Sequence, residues 1–138
     1  MTARVLVVED DPDIREALEE ALASEGYEVA LATDGAHALR VAHETLPDLI
    51  LLDLMMPVMN GWAFRAAQRA DPALAGIPVI VVSAVDSDRI AEVEADGYVC
   101  KPFTLQELFA EVAGLAAHER AWRRGVDHDA GAAGSSDR

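Results

Sequence analysis

In the stretch 47–61, PDLILLDLMMPVMNG, an apolar run long enough for a buried strand is interrupted by one carboxylate, Asp53, and resumes at Leu54, Met55 and Met56. An ionised acid in such a run is costly unless something binds it or uses it. Four further residues have side chains suited to act with it. Glu9 and Asp10 follow the apolar run RVLVV, Ser83 closes IPVIVVS, and Lys101 closes GYVCK. Lys101 is also singular, because the chain holds 11 basic residues and every other one is arginine. An ammonium is a compact point charge on a flexible stem, whereas a guanidinium is a broad planar fork, so a small phosphoryl oxygen beside a carboxylate favours lysine. Three acids brought together raise at least one pKa unless a cation neutralises them. Magnesium meets that need, since it takes hard oxygens, keeps several waters and uses one or two protein carboxylates, which leaves room for phosphate oxygens. Asp10 and Asp53 fit the ligand role. Taken singly, Glu9-Asp10-Asp11 reads equally as helix capping, and Asp53 as a strand-end turn former.

These residues can meet only if the elements before them end at one edge. RVLVV reads as a first strand, and Pro12 after the acids starts a helix whose Ile14, Leu18, Ala21 and Leu22 share a face, with Gly26 as the stop. YEVALA is a second strand. Asp34-Gly35 marks a turn, and Ala38, Leu39, Ala42 and Leu46 outline a second helix closed by Pro47. LILLD is a third strand, and Gly61 opens a helix through Trp62, Phe64 and Ala67. IPVIVVS is a fourth strand, DSDRIAEVEAD a short fourth helix, and GYVCK a fifth strand. A last helix, TLQELFAEVAGLAA, begins with Thr104 and Glu107 spaced as a capping box and lines one face with Leu105, Leu108, Phe109 and Val112. Apolar strands alternating with helices predict an α/β doubly wound parallel sheet with helices on both faces. In such a sheet, functional residues gather beyond the carboxyl ends of the strands.

The chain of 138 residues suits one domain. Its formal charge of -14 disfavours direct binding to nucleic acid or anionic lipid, so any phosphoryl site must bring its own cation. The single cysteine, Cys100, excludes an internal disulfide, reads as a packed strand residue and fits a cytoplasmic location. No signal peptide or membrane-inserting run is present. Residues 119–138 turn basic and then small and polar, and read as a disordered tail after a domain over 1–118. The four histidines show no metal-binding spacing.

Taken in order, VVEDD, LLDLMMPVMNG, VVSA and YVCKPF give the chain a specific resemblance, over about residues 3–117, to the receiver domain of bacterial two-component response regulators. The resemblance implies a flavodoxin-like sheet of strand order 2-1-3-4-5. It implies that Asp53 accepts a phosphoryl group from a sensor histidine kinase or a phosphotransfer protein, with Lys101 and Ser83 assisting. Mg2+ or Mn2+ would be held by Asp10, Asp53 and the Met55 carbonyl, and by Glu9 through water. Ser83 and Tyr98 would form the switch that alters binding to a downstream protein. Pro57, Gly61 and Pro102 would shape the loops, with the Lys101-Pro102 bond suited to a cis form. Met55 and Val85, each two residues beyond a reacting side chain, would set how long the phosphoryl group lasts. The protein would catalyse only its own phosphorylation and dephosphorylation and would not otherwise be an enzyme.

One departure from the family concerns the segment between Ser83 and Lys101, which is short by about one helical turn. The glycine usual before the fifth strand is replaced, with Glu94 standing near its place. A Mg2+-dependent phosphohydrolase with an aspartate nucleophile is the alternative reading, but it needs a second acid where this chain has Met55. A flavin or nucleotide binder needs glycines and hydroxyls after the first strand, where this chain has EDDPD.

Overall fold

The computed structural model describes residues 3–56, 58–84 and 93–115. Its elements are β1 (Arg4–Val8), α1 (Pro12–Ser24), β2 (Glu28–Ala32), α2 (Gly35–Thr45), β3 (Leu49–Leu52), α3 (Gly61–Ala70), β4 (Val79–Ser83) and β5 (Gly97–Cys100). A further helix, α4, covers residues 105–115. All strand pairs are parallel, and the sheet order is β2-β1-β3-β4-β5, as expected.

The apolar strands feed two cores because successive side chains point to opposite faces. Leu6, Val8, Ile50, Leu52, Val79 and Val81 pack with Ala38 and Ala42 of α2 and Phe64 of α3. Val5, Val7, Leu49, Leu51, Ile80, Val82 and Val99 pack with Leu18 and Leu22 of α1 and Leu108 and Val112 of α4. Helices on both faces explain why the central strands carry no polar alternation.

The helix starts follow the local chemistry. Asp11 caps α1 by accepting from the amides of Asp13 and Ile14, with Pro12 in the first turn. Gly26 follows α1 at φ +93°. Thr104 and Glu107 form the reciprocal box expected at α4, with the Thr104 amide donating to Glu107 Oε1 at 2.8 Å and the Glu107 amide to Thr104 Oγ1 at 3.1 Å.

Several side chains differ from expectation. Leu46 is not on the buried face of α2; it is the C-cap at φ 46° and is 58% exposed, because the chain turns left-handed there before Pro47. Leu105 is exposed on the first turn of α4. Cys100 is exposed and not packed: β5 is an edge strand whose alternation sends Val99 into the core and leaves Tyr98 and Cys100 on the other side. Arg65 and Gln68 of α3 are buried on a face that the apolar pattern assigns to nonpolar residues alone. The expected fourth helix falls mostly on residues outside those described, and its last residues, 93–96, are not helical. Pro57, Val85 and the expected tail over 119–138 also lie outside the described residues.

Candidate functional site

β1 and β3 are neighbours, yet β1 leads through α1 to one edge of the sheet and β3 through α3 toward the other. The crevice where those paths diverge is where Glu9, Asp10 and Asp53 emerge. Register fixes them side by side: Val8 pairs with Leu52, and the Asp53 amide donates to the Val8 carbonyl at 3.0 Å. On the other flank the Glu9 amide donates to the Ala32 carbonyl at 3.1 Å. Carboxylate oxygens of Glu9, Asp10 and Asp53 all lie within 4.8 Å of one another. Glu9 and Asp53 are buried, at 2% and 6% exposure, and Asp10 is exposed.

Lys101 reaches this cluster from the end of β5. Its ammonium lies 3.1 Å from Glu9 Oε1 and 3.8 Å from Asp53 Oδ2, so its nearer partner is Glu9. The Lys101 amide donates to the Ser83 carbonyl at 3.0 Å, which fixes the two strand ends to each other. Ser83 is buried at the end of β4. The Lys101-Pro102 bond is cis.

Even with this cation beside it, burial, followed by the charge of Asp53, pushes the Glu9 carboxyl up to about 7 from 4.5, while Lys101 pulls it down. One ammonium therefore does not balance the buried acids. The cluster accordingly has the composition of a divalent-cation site: several hard oxygens, close together and under-neutralised.

The loop after Asp53 is held by backbone contacts. The Met55 amide donates to Asp53 Oδ1 at 3.1 Å, and the Met55 side chain is 57% exposed. The Gly61 amide donates to the Leu54 carbonyl at 3.0 Å. A Cβ on Gly61 would stand 2.7 Å from Leu54 Cα and 2.8 Å from the Asp53 carbonyl, both backbone atoms, so the loop closes this tightly only over glycine. Tyr98, three residues before Lys101, is exposed, and a side-chain hydrogen bond with Cys100 raises its phenol pKa.

Arg15 escaped the reading of the sequence. Its Nη1 donates to the carbonyls of Glu9 at 2.9 Å and Asp10 at 3.3 Å, which ties the acid-bearing turn to α1. A cation so near a helix N-terminus opposes the helix dipole, and that local conflict was its available signal.

A family model for the response regulator receiver domain matches residues 5–113. The chain is 50% identical over 116 residues to the transcriptional regulatory protein PrrA of Mycobacterium tuberculosis, covering 81% of this chain and 49% of that protein. It is 44% identical to the DNA-binding response regulator MtrA of Mycolicibacterium smegmatis, covering 81% of this chain and 50% of that protein. The chain thus spans about half the length of the curated relatives it matches. Among solved structures, the Vibrio cholerae chemotaxis protein CheY4 superposes with a TM-score of 0.79 at 32% identity, over 83% of this chain and 99% of that one. The receiver domain of Francisella response regulator 1452 superposes with a TM-score of 0.77 at 30% identity, over 85% of this chain and 98% of that one. Sheet order, the converging acids and these matches agree: the chain belongs to the response regulator receiver domain family.

Proposed function

We propose that Asp53 takes a phosphoryl group from the phosphohistidine of a sensor kinase or phosphotransfer protein, and that its phosphorylation switches binding to a downstream protein. The observation that carries this is the juxtaposition of a buried Asp53 with two further acids and the only lysine. An Asp53 carboxylate oxygen forms the new bond to phosphorus as the bond to the leaving group breaks. With acetyl phosphate the leaving acetate departs with the bonding pair as a carboxylate, so no proton need move.

Asp10, Asp53 and the Met55 carbonyl would hold Mg2+ or Mn2+, with Glu9 acting through water. A bound divalent ion would offset charge on the transferring oxygens. Lys101 places its ammonium 3.8 Å from Asp53 Oδ2, where it would face the charge of the incoming group. Ser83 would donate its hydroxyl to a phosphoryl oxygen once Asp53 is modified. Tyr98, exposed on β5, would then change its packing and reshape the surface that the partner reads. Gly61 and Pro102 shape the loops that carry these groups.

The protein catalyses only its own modification. The phosphohydrolase reading is disfavoured by Met55, whose thioether cannot act as a general acid or base. Two relatives are named as a transcriptional and a DNA-binding regulator. With a charge of -14, this chain would reach such an output through a protein contact or further protein, not by its own field. No helix among the described residues is long and apolar enough to cross a membrane, and the lone cysteine fits a reducing cytoplasm.

Incubation with magnesium and acetyl phosphate should add one phosphoryl group, labile to hydroxylamine and mapping to the peptide that contains Asp53. No mass gain, or a hydroxylamine-stable phosphoester elsewhere, would overturn the proposal.

Lifetime is a second expected property. The exposed Met55 side chain has no group with which to orient an attacking water, and the aliphatic side chain of Val85 carries none either. The phosphorylated protein should therefore persist for on the order of minutes or longer, and Met55→Asn should shorten that about tenfold, equivalent to about 1.4 kcal/mol of barrier. Acid-quenched time courses measure it, and equal half-lives for the two proteins would remove Met55 from this role.

A further inference from the structure

The face of α3 that meets the core buries two polar side chains, Arg65 at 8% exposure and Gln68 at 0%. Their bonds run to segments distant in sequence. Arg65 Nε donates to the Val93 carbonyl at 3.2 Å, Nη2 to the Glu94 carbonyl at 2.7 Å, and Nη1 to Gln68 Oε1 at 2.9 Å. Gln68 Nε2 donates in turn to the carbonyls of Leu74 at 2.8 Å and Ile77 at 2.9 Å. Asp96 completes the group. Its Oδ2 lies 3.7 Å from Arg65 Nη2 and accepts from the Val79 amide at 2.8 Å, while its own amide donates to the Val79 carbonyl at 2.8 Å. One arginine thus ties α3 to the lead-in of β5, and through Gln68 to the lead-in of β4.

Such a network is a poor device for stability alone. A buried guanidinium gives up hydration, and well-packed apolar side chains commonly stabilise as much or more. What a satisfied buried polar network supplies is a unique arrangement. The arrangement most in need of fixing here is β5, an edge strand of only four residues joined to β4 by a long connection. Its register places Ile80 opposite Gly97 and Ser83 opposite Cys100, and the Lys101 amide follows on the Ser83 carbonyl. A slip of one residue would turn Val99 out of the core and carry Lys101 about 3.3 Å along the strand. That displacement exceeds the 3.1 Å contact between Lys101 and Glu9. Glu94, in that connection, adopts a left-handed φ of 55° where glycine would be relaxed. Arg65 holds that strained carbonyl, and Arg69 pairs with the Glu94 carboxylate.

We infer that Arg65 is a positioning residue: by binding the Val93 and Glu94 carbonyls at the amino end of β5 it sets the register of β5 on β4, and so places the Lys101 ammonium between Glu9 and Asp53 at the other end. Its catalytic consequence rests on the phosphoacceptor reading above, while the register consequence does not.

The test is the double variant Arg65→Met with Gln68→Leu, which removes the guanidinium and the side-chain amide together, so that neither stays buried without the other, although the carbonyls of Val93, Glu94, Leu74 and Ile77 each lose a donor. It should unfold cooperatively in urea, keep magnesium affinity within about twofold, and label from acetyl phosphate about tenfold more slowly than wild type. Hydrogen exchange at the Lys101 and Val99 amides should accelerate about tenfold, while that at Leu6 and Ile50 in β1 and β3 stays unchanged. A merely structural role would speed exchange across the whole sheet and lower labelling only in proportion to the unfolded fraction, and that result would overturn the inference. Unchanged β5 exchange in a folded variant would do the same. If the double variant does not fold, Arg65→Lys, which keeps the charge but cannot span both carbonyls and Gln68, is judged by the same localised exchange. Faster exchange confined to β5 in a protein whose wild type takes no label would sustain the register role and refute the phosphoacceptor reading.

Discussion

Replacing Asp53 with asparagine should reduce labelling from acetyl phosphate by more than about a thousandfold, equivalent to roughly 4 kcal/mol of barrier. An amide has the shape of the carboxylate but neither its charge nor its nucleophilic oxygen. The amide's carbonyl oxygen can still accept from the Met55 backbone N–H, as Asp53 Oδ1 does at 3.1 Å, so the loop has no reason to open. The variant should therefore fold like wild type, which circular dichroism and urea unfolding would show. A second consequence separates loss of a nucleophile from loss of structure. The charge of Asp53 is, after burial, the next cause of the raised Glu9 pKa, so removing it should let Glu9 ionise at lower pH. Intact-mass measurement that finds a hydroxylamine-labile phosphoryl group on the folded variant would remove Asp53 from the reaction.

Metal-free protein should lose stability as pH rises from about 4.5 to 7, and Glu9→Gln should abolish that loss. Glu9 is 2% exposed, and burial and then Asp53 raise its pKa from 4.5 to about 7. In that window the folded protein keeps a proton that the unfolded chain has released, so stability falls with rising pH. Below the window both states are protonated and the penalty is absent. Above it both are ionised and the penalty is complete. The separation of the two values corresponds to about 3 kcal/mol. Glutamine carries no charge to desolvate, so the variant should be more stable than wild type at about pH 8 without metal by about 2–3 kcal/mol. Lys101 would still have Asp53 at 3.8 Å. Magnesium should stabilise wild type in the same high-pH range, by about 2.7 kcal/mol at roughly a hundred times its dissociation constant. Urea unfolding across and above this window, with chelator or with magnesium, measures both effects. Parallel pH profiles for wild type and Glu9→Gln would show that Glu9 carries no such penalty.

The sequence by itself determined the five strands, the helices that flank them apart from the expected fourth, and the edge at which the chemistry gathers. Strand and helix alternated plainly, Asp11 and Pro12 marked one helix start, and Thr104 with Glu107 marked another; these are local signals satisfied by neighbours a few residues away. Because parallel strands point one way, the residues that end or follow RVLVV, LILL, VIVVS and GYVC had to meet at one edge, and that placed Glu9, Asp10, Asp53, Ser83 and Lys101 together. Strand order came with the family resemblance, since alternation alone fits several orders. The tertiary structure decided what depends on distant partners. It paired Lys101 more closely with Glu9 than with Asp53, and it drew Arg15 onto the carbonyls of the acid-bearing turn. It exposed Leu46, Leu105 and Cys100 despite their apolar character, because a left-handed cap, a first helical turn and an edge strand gave them nothing to pack against. It buried Arg65 and Gln68, which a helical pattern of apolar residues assigns to solvent. A polar side chain can enter a core only when carbonyls from other segments converge on it, and the carbonyls of Leu74, Ile77, Val93 and Glu94 come together only after the sheet has formed.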